Sequence, residues 1–449
     1  MNRYHLVASF NKEQHAFEYQ IIPEISTIKV LLPMQTSNGN FRYGLQTMIS
    51  ELQRVNIYPS ESGFDAIIIG LMVYIADMKI SRRKQSQDSW TREITLSIPV
   101  YDSKWMNHRN TIERMLKFLT GDIWTLEFSK REERFAISDK EEERTDKYRV
   151  ASLFSGGMDS LIAAINYMEQ GQATLLVSHA GEPRVRKWQT DLLQLLDEYY
   201  SNVPHDNAYL WTSLSDIELP EADEDKNQRS RSFLFISIAI FAMSGTKGCN
   251  DLYMPENGLI ALNVPLDSTR IGSHSTRTTH PFYLKIWNEI SMSVFGFSIS
   301  NPYWNKTKGE MAAECLNKDR LMDAMGKSYS CSSVNNANIR GGHSQHCGHC
   351  LPCIIRRAAM YHAFGKNDPS EYLYSDIAAI ESNRDLVGEQ LRSFQYAIQK
   401  LKQNPNSKEI MIYKTGPLDS DEMYLKELSE MYYRGLMEVD QWIQDNREN

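Results

Sequence analysis

The passage that most narrows the folds open to this chain is an apolar run, Val150-Ala151-Ser152-Leu153-Phe154, that passes directly into Ser155-Gly156-Gly157-Met158-Asp159-Ser160. A short apolar strand, a two-glycine turn and the polar start of a helix form the opening of a β–α unit. The pattern then repeats. A helix is predicted from Asp159 to about Gln170, a strand over Thr174 to Ser178 and a helix over Lys187 to Tyr200. A strand over Tyr209 to Thr212, a helix over Ser230 to Ser244 and a strand over Asp251 to Met254 follow. Strand and helix in turn imply a doubly wound parallel α/β sheet, with ligands beyond the carboxyl ends of the strands.

Before this unit, strand-like runs (Ser26 to Leu32, Glu93 to Val100, Trp124 to Phe128) mix with helix-like ones (Phe64 to Met78, Asn110 to Phe118), which reads as an N-terminal α+β accessory domain. The charged stretch Lys130 to Lys147 buries little and marks a boundary. After the unit, Leu391 to Leu401 and Glu422 to Ile443 have helical spacing, interrupted by Asn404-Pro405-Asn406 and Gly416-Pro417. The expected domains are therefore 1–145 (accessory), 146–365 (nucleotide-binding) and 366–449 (a C-terminal helical region).

With 449 residues and a formal charge of −8, the chain has ample material for a large core and no general basic surface for nucleic acid. Nucleic acid is not expected as the direct substrate. The longest apolar runs, Ala66 to Ala76 and Phe233 to Met243, fall short of the roughly 18 to 20 residues that cross a bilayer and read as buried helices. The first residues, Met1 to Leu6, carry no secretory signal pattern, so a cytoplasmic protein with no membrane partner is expected.

The chemistry of the hexapeptide follows from its residue types. Two glycines let successive N–H groups converge on an anion at a helix N-terminus, which suits a pyrophosphate. The Ser155 and Ser160 hydroxyls can add hydrogen bonds, and Asp159 is placed to hold Mg²⁺ or a water bound to it. Gly326-Lys327-Ser328 lacks the upstream glycine of a Walker loop and is read as a decoy.

Four of the six cysteines, Cys331, Cys347, Cys350 and Cys353, crowd one region. In a reducing compartment this spacing points to a closed, structural Zn²⁺ site of four thiolates, although an iron–sulfur cluster can use similar spacing. His343, His346 and His349 are expected to lie outside the ligand set, and Cys249 and Cys315 to be packed thiols.

The hexapeptide matches the SGGxDS signature of the PP-loop ATP pyrophosphatases. With the cysteine cluster, residues 148–362 resemble the 7-cyano-7-deazaguanine synthase (QueC) family. Arg231-Ser232-Phe233-Leu234-Phe235 resembles that family's helix-opening arginine motif, Lys308-Gly309-Glu310-Met311 its K-x-E segment, and Tyr329-Ser330-Cys331 its first zinc ligand. The resemblance implies a PP-loop (HUP-like, adenine nucleotide α-hydrolase type) fold in which ATP is bound at Ser155, Gly156, Gly157, Met158, Asp159 and Ser160. It also implies that Arg231 and Lys308 neutralise phosphate charge beside Asp159.

Family members adenylate 7-carboxy-7-deazaguanine and pass it to ammonia on the way to a nitrile. A typical synthase is about half this length, and its substrate segment differs. Here Glu256-Asn257-Gly258 and 275–281 stand in its place, with Glu256 suited to the guanidine-like edge of a deazapurine and Arg277 to a carboxylate. The enlarged layout resembles the QatC group, the QueC-like components of Qat anti-phage defence systems. That resemblance implies a 7-deazaguanine-type small molecule, a partner protein of the same defence system, and acyl transfer to a partner's amine or to ammonia. The alternatives are an ordinary synthase, a PP-loop tRNA-modifying enzyme, or a non-catalytic ATP-binding scaffold.

Overall fold

The computed structural model describes residues 2–11, 16–86, 88–181, 183–225, 227–267, 277–332 and 345–447. The first sheet is built from β1 (Arg3–Ser9), β2 (Glu18–Ile22), β3 (Thr27–Pro33), β4 (Glu93–Val100) and β5 (Ile123–Lys130) in the order β2-β3-β1-β4-β5. Only the β2–β3 hairpin is antiparallel; β3, β1, β4 and β5 run parallel. The N-terminal region is thus itself largely α/β, where the sequence reading had α+β. The central strand β1, which the reading did not include and which pairs parallel with both β3 and β4, accounts for the difference. The helices that flank this sheet include α1 (Glu61–Lys79) and α2 (Arg109–Thr120).

The second sheet joins β6 (Val150–Leu153), β7 (Thr174–Ser178), β8 (His205–Tyr209), β9 (Asp251–Tyr253) and β10 (Ser298–Ser300) in the order β10-β9-β6-β7-β8, with every pair parallel. Between and after these strands run α3 (Met158–Glu169), α4 (Pro183–Tyr199), α5 (Arg231–Met243), α6 (Gly258–Leu262), α7 (Pro281–Val294) and α8 (Lys308–Ala313). This is the doubly wound arrangement expected. Its order reverses between β6 and β9, and ligands of such sheets bind at that switch point.

One strand lies earlier than expected. β8 covers His205–Tyr209, not Tyr209 to Thr212. Its polar sequence hides it: Asn207 accepts a hydrogen bond from the Ser178 hydroxyl at 2.8 Å, and Asp206 accepts one from Tyr148 at 2.6 Å. An edge strand satisfied by such side-chain bonds needs no apolar alternation.

The two apolar runs are α1 and α5, buried almost all round, and they pack against each other between the sheets. Their seam is lined by small residues at a spacing of seven. A Cβ on Gly63 would stand 2.0 Å from Ser244 Oγ, and one on Gly70 2.6 Å from Ser237 Cβ. One continuous core therefore holds Leu6 and Leu96 of the first sheet together with Val177 and Leu252 of the second. Among the described residues no helix is long and apolar enough to cross a membrane.

A second core lies over the other side. Ile354 of α9 (Leu351–Phe364), Phe394 of α10 (Leu386–Gln403) and Leu436 and Trp442 of α11 (Glu422–Arg447) meet there with Leu259 and Leu262 of α6. The C-terminal helices are thus laid against the helix that follows β9.

Candidate functional site

Four neighbouring strands deliver polar groups at their carboxyl ends. β6 runs into the glycine loop, β7 into His179, β9 into Glu256 and Asn257, and β10 into Asn301. Gly156 takes a left-handed φ of +81°, which glycine adopts without strain. The Ser155 and Ser160 hydroxyls lie 3.2 Å apart, and Ser160 donates to the Gly157 carbonyl at 3.0 Å. α3 starts behind Gly157 with no side-chain cap of its own. Gln189 of α4 fixes the loop by donating to the carbonyls of Phe154, Ser155 and His179 at 3.2–3.3 Å.

Asp159 is the hub of the charges. Lys308 Nζ lies 2.9 Å from its Oδ1, with only 6% and 7% of the two side chains exposed. Asn257 donates to its Oδ2 twice, from the backbone N–H at 3.0 Å and from Nδ2 at 2.7 Å. Burial pushes the Asp159 carboxyl up, yet the Lys308 ammonium, Glu256 and both Asn257 donors outweigh it and hold the group below the usual range. Glu256 goes the other way: burial, then the charge of Asp159 and a hydrogen bond to it, keep its carboxyl protonated well above the ordinary range. The two carboxyl groups are thus pushed in opposite directions, with Lys308 against Asp159. Asn301 anchors the backbone of Glu256, accepting from its N–H at 3.3 Å and donating to its carbonyl at 2.7 Å.

The predicted residues do not all converge. Ser155, Gly156, Gly157, Met158, Asp159 and Ser160 form one loop and helix start, and Lys308 and Glu256 are brought against Asp159. Arg231 opens α5 as expected but is exposed and lies over the Phe235 ring at 5.0 Å. Its described neighbours include His179, whose imidazole, driven down to about 4 mainly by burial, is neutral. Arg277 is spent elsewhere: its guanidinium donates to the Phe118 carbonyl of α2 and lies 4.4 Å from the Phe118 ring. Ser275 and Thr276 lie outside the described residues. Asn257, Asn301, Gln189 and His179 were not singled out by their chemistry. Their one sequence signal is position, just after a strand or one helix away from the loop.

The Sγ atoms of Cys331, Cys347, Cys350 and Cys353 all lie within 4.8 Å of one another. The Cys331–Cys350 and Cys347–Cys353 pairs stand at 3.8 Å. A tetrahedron with Zn–S bonds of about 2.3 Å has edges of about 3.8 Å, so the four thiols could hold a metal ion such as zinc. They are not disulfides. Backbone N–H groups of Cys347 and Cys350 point at Cys331 and Cys347 sulfur, at 3.5 and 3.3 Å. Gly348, at φ +86°, passes so close to Tyr374 that a Cβ would stand 2.3 Å from its carbonyl oxygen. His346 is turned to the Ser328 carbonyl at 3.3 Å and His349 packs edge-on to Tyr374, while His343 lies outside the described residues.

This cluster braces the glycine loop. Tyr329 N–H donates to the Gly156 carbonyl at 3.0 Å, and Met158 N–H to Ser330 Oγ at 3.3 Å, immediately before the ligand Cys331. Tyr329 is also stacked on Trp188 of α4 at 3.7 Å. In the decoy segment, Ser328 accepts from Arg356 at 2.9 Å and donates to Met325 O at 3.0 Å, so its hydroxyl is a packing group. No protein-family model matches the chain, and neither does any curated protein.

Proposed function

We propose that the chain is an ATP-dependent enzyme that activates a carboxylate as an acyl-adenylate, releases pyrophosphate and passes the acyl group to an amine. The observation that carries this reading is the juxtaposition, at the switch point of a parallel sheet, of a glycine loop that opens a helix with a buried Asp159–Lys308–Glu256 cluster. Convergent N–H groups suit a pyrophosphate, and a buried ammonium suits charge that grows as it leaves.

In the first step a carboxylate oxygen bonds to the α-phosphorus and the bond to pyrophosphate breaks. In the second the amine nitrogen bonds to the acyl carbon, AMP leaves with the electron pair, and the amine's proton passes to a base. Glu256, whose carboxyl is pushed toward its protonated form beside Asp159, is suited to donate a hydrogen bond to the charge that develops on the departing phosphate, and solvent is the base that takes the amine's proton. A Mg²⁺ ion bound with ATP would supply further neutralisation of phosphate charge. Asp159, with Lys308 beside one oxygen and two Asn257 donors on the other, would be the carboxylate nearest such an ion.

The substrate class follows from the resemblance in sequence: 7-carboxy-7-deazaguanine or a similar heteroaromatic acid, with ammonia or the amine of a defence-system partner as acceptor. A cleft of about 740 Å³ lined by Gly258, Asn301, Trp304 and Phe282 adjoins the Glu256–Asn257 turn and is of a size for such a ligand. The engaged state of Asp159 and the outward Arg231 favour a second reading, a scaffold that holds ATP without turning it over.

The test is release of pyrophosphate and AMP from ATP and Mg²⁺ with 7-carboxy-7-deazaguanine, by wild type and Asp159→Ala, with and without candidate partners. Substrate-dependent AMP that disappears in the variant supports adenylation, and mass gained by a partner identifies the acceptor. ATP binding with no turnover under any condition replaces the enzyme with the scaffold.

A further inference from the structure

The C-terminal helix α11 reaches the centre from outside the sheet. Glu427, Arg434 and Glu438 are spaced seven and four apart and so share one face of it. That face grips the turn that carries Lys308. Asn305 donates to Glu427 at 3.1 Å, and Arg434 donates to the Asn305 carbonyl at 2.9 Å and to both oxygens of Glu310 at 2.5 and 3.2 Å. Glu438 accepts from the Thr307 hydroxyl and from the Gly309 N–H at 3.3 Å.

The fit is close. A Cβ on Gly309 would stand 2.7 Å from Glu438 Oε1, so only glycine leaves room for the carboxyl group. The same helix supports the other partner of Asp159. Met431 lies where a Cβ on Gly258 would be, 2.7 Å from its Cε, and Gly435 faces Leu259, in the turn that presents Asn257. Both donors to Asp159, Lys308 and Asn257, are thus seated on one helix that no strand of the sheet contributes.

We propose that the Arg434–Glu438 face of α11 is a positioning device for Lys308, holding its ammonium against Asp159 in the orientation the transfer step uses. This rests on the proposed role of Lys308, but its first readout does not. In wild type the Lys308 amine is buried and ion-paired, so an amine-reactive acetylating reagent, read by peptide mass spectrometry on the full-length protein, labels it slowly.

Glu438→Ala is expected to raise the labelling rate of Lys308 about tenfold, the loss of one net hydrogen-bonding contribution, while Glu438→Gln, which still accepts from Thr307, stays within about twofold of wild type. Gly309→Ala is expected to act like Glu438→Ala by pushing the carboxyl group out. The double variant labels no faster than either single one, because shortening Glu438 makes room for the new methyl group. Arg434→Met loosens the same turn from its other side and serves if Glu438→Ala does not fold.

In turnover, Glu438→Ala lowers kcat with KM for ATP unchanged, and Glu438→Gln restores it. Folded Glu438→Ala and Arg434→Met proteins with wild-type labelling of Lys308 overturn the proposal. A wild type that releases no pyrophosphate overturns the functional reading and leaves the labelling result standing.

Discussion

Each sheet carries a buried charge cluster, and the two are built differently. Beside the first sheet, Arg82 and Arg92 meet Asp77 and Asp122, with Arg92 Nη2 at 2.7 and 2.6 Å from the two carboxylates and its other nitrogens on Asp122 and on the carbonyls of Asp77 and Ile80. Asp225 adds a third carboxylate, 3.3 Å from Arg82 Nη1, and Asp77 also accepts from Ser230 N–H at 2.7 Å, tying down the start of α5. Beside the second sheet, one lysine faces two neighbouring carboxyl groups at the carboxyl ends of the strands, Asp159 held down and Glu256 pushed up. A cluster closed on all sides fixes geometry. One whose two carboxyl groups are pushed in opposite directions is the kind of cluster that marks a candidate functional site.

The largest expected effect concerns the brace that only the second sheet possesses. Metal binding contributes about 10–16 kcal/mol in small zinc modules. Cys347→Ser is therefore expected to lose bound zinc, measured by elemental analysis, and to speed hydrogen exchange in 155–160 while β1 and β4 keep their protection. Equal loosening of both sheets would erase the distinction between them. Next is Arg92→Ala, which strands two buried carboxylates and is expected to cost about 3–5 kcal/mol in denaturant unfolding. A cost below about 1 kcal/mol would show that this cluster is not closed.

Lys308→Met is expected to lower pyrophosphate release by about 10²–10³-fold, as loss of a preorganised charge does. Its cost in stability is expected to be small, because Asp159 and Glu256 can take up a second proton between them. A stability loss as large as that of Arg92→Ala would make the two clusters alike. The smallest effect is one of pH. Burial raises Glu438 to about 7 despite Thr307, Gly309 and Arg434, with Glu310 adding to the rise and His362 3.9 Å away. A raised carboxyl pKa means that the folded state binds the extra proton. The contribution is full below about 4.5 and is lost as pH rises to about 7, with a slope of at most about 1.4 kcal/mol per pH unit. Glu438→Gln is expected to flatten that slope in thermal melts; an unchanged slope would place the titration on another group.

Much of this was legible in the residues. The strand-glycine-helix pattern and the repeated alternation place Ser155 to Ser160 at a sheet's ligand end, and the cysteine spacing marks the metal cluster. Other parts depend on contacts between segments far apart in the chain. Asn257 reads as a loop residue until β9 is set beside β6, and Glu438 reads as a surface charge until α11 is laid on α8. Arg277 shows the reverse: a basic residue near a suspected substrate segment is taken up by a carbonyl of the first sheet's helix. β8 escaped because its polar side chains bond within the fold rather than bury apolar surface.

The seam of Gly63 and Gly70 against Ser244 and Ser237 has a mechanical consequence. Two helices pinned at points seven residues apart cannot slide or roll past each other without backbone meeting side chain, so the pair acts as a keyed shaft joining the sheets. Among the described residues the two sheets are thus joined through a packed helix pair and one shared core. An added methyl group at Gly70, 2.6 Å from Ser237 Cβ, would therefore be felt in the alignment of both sheets.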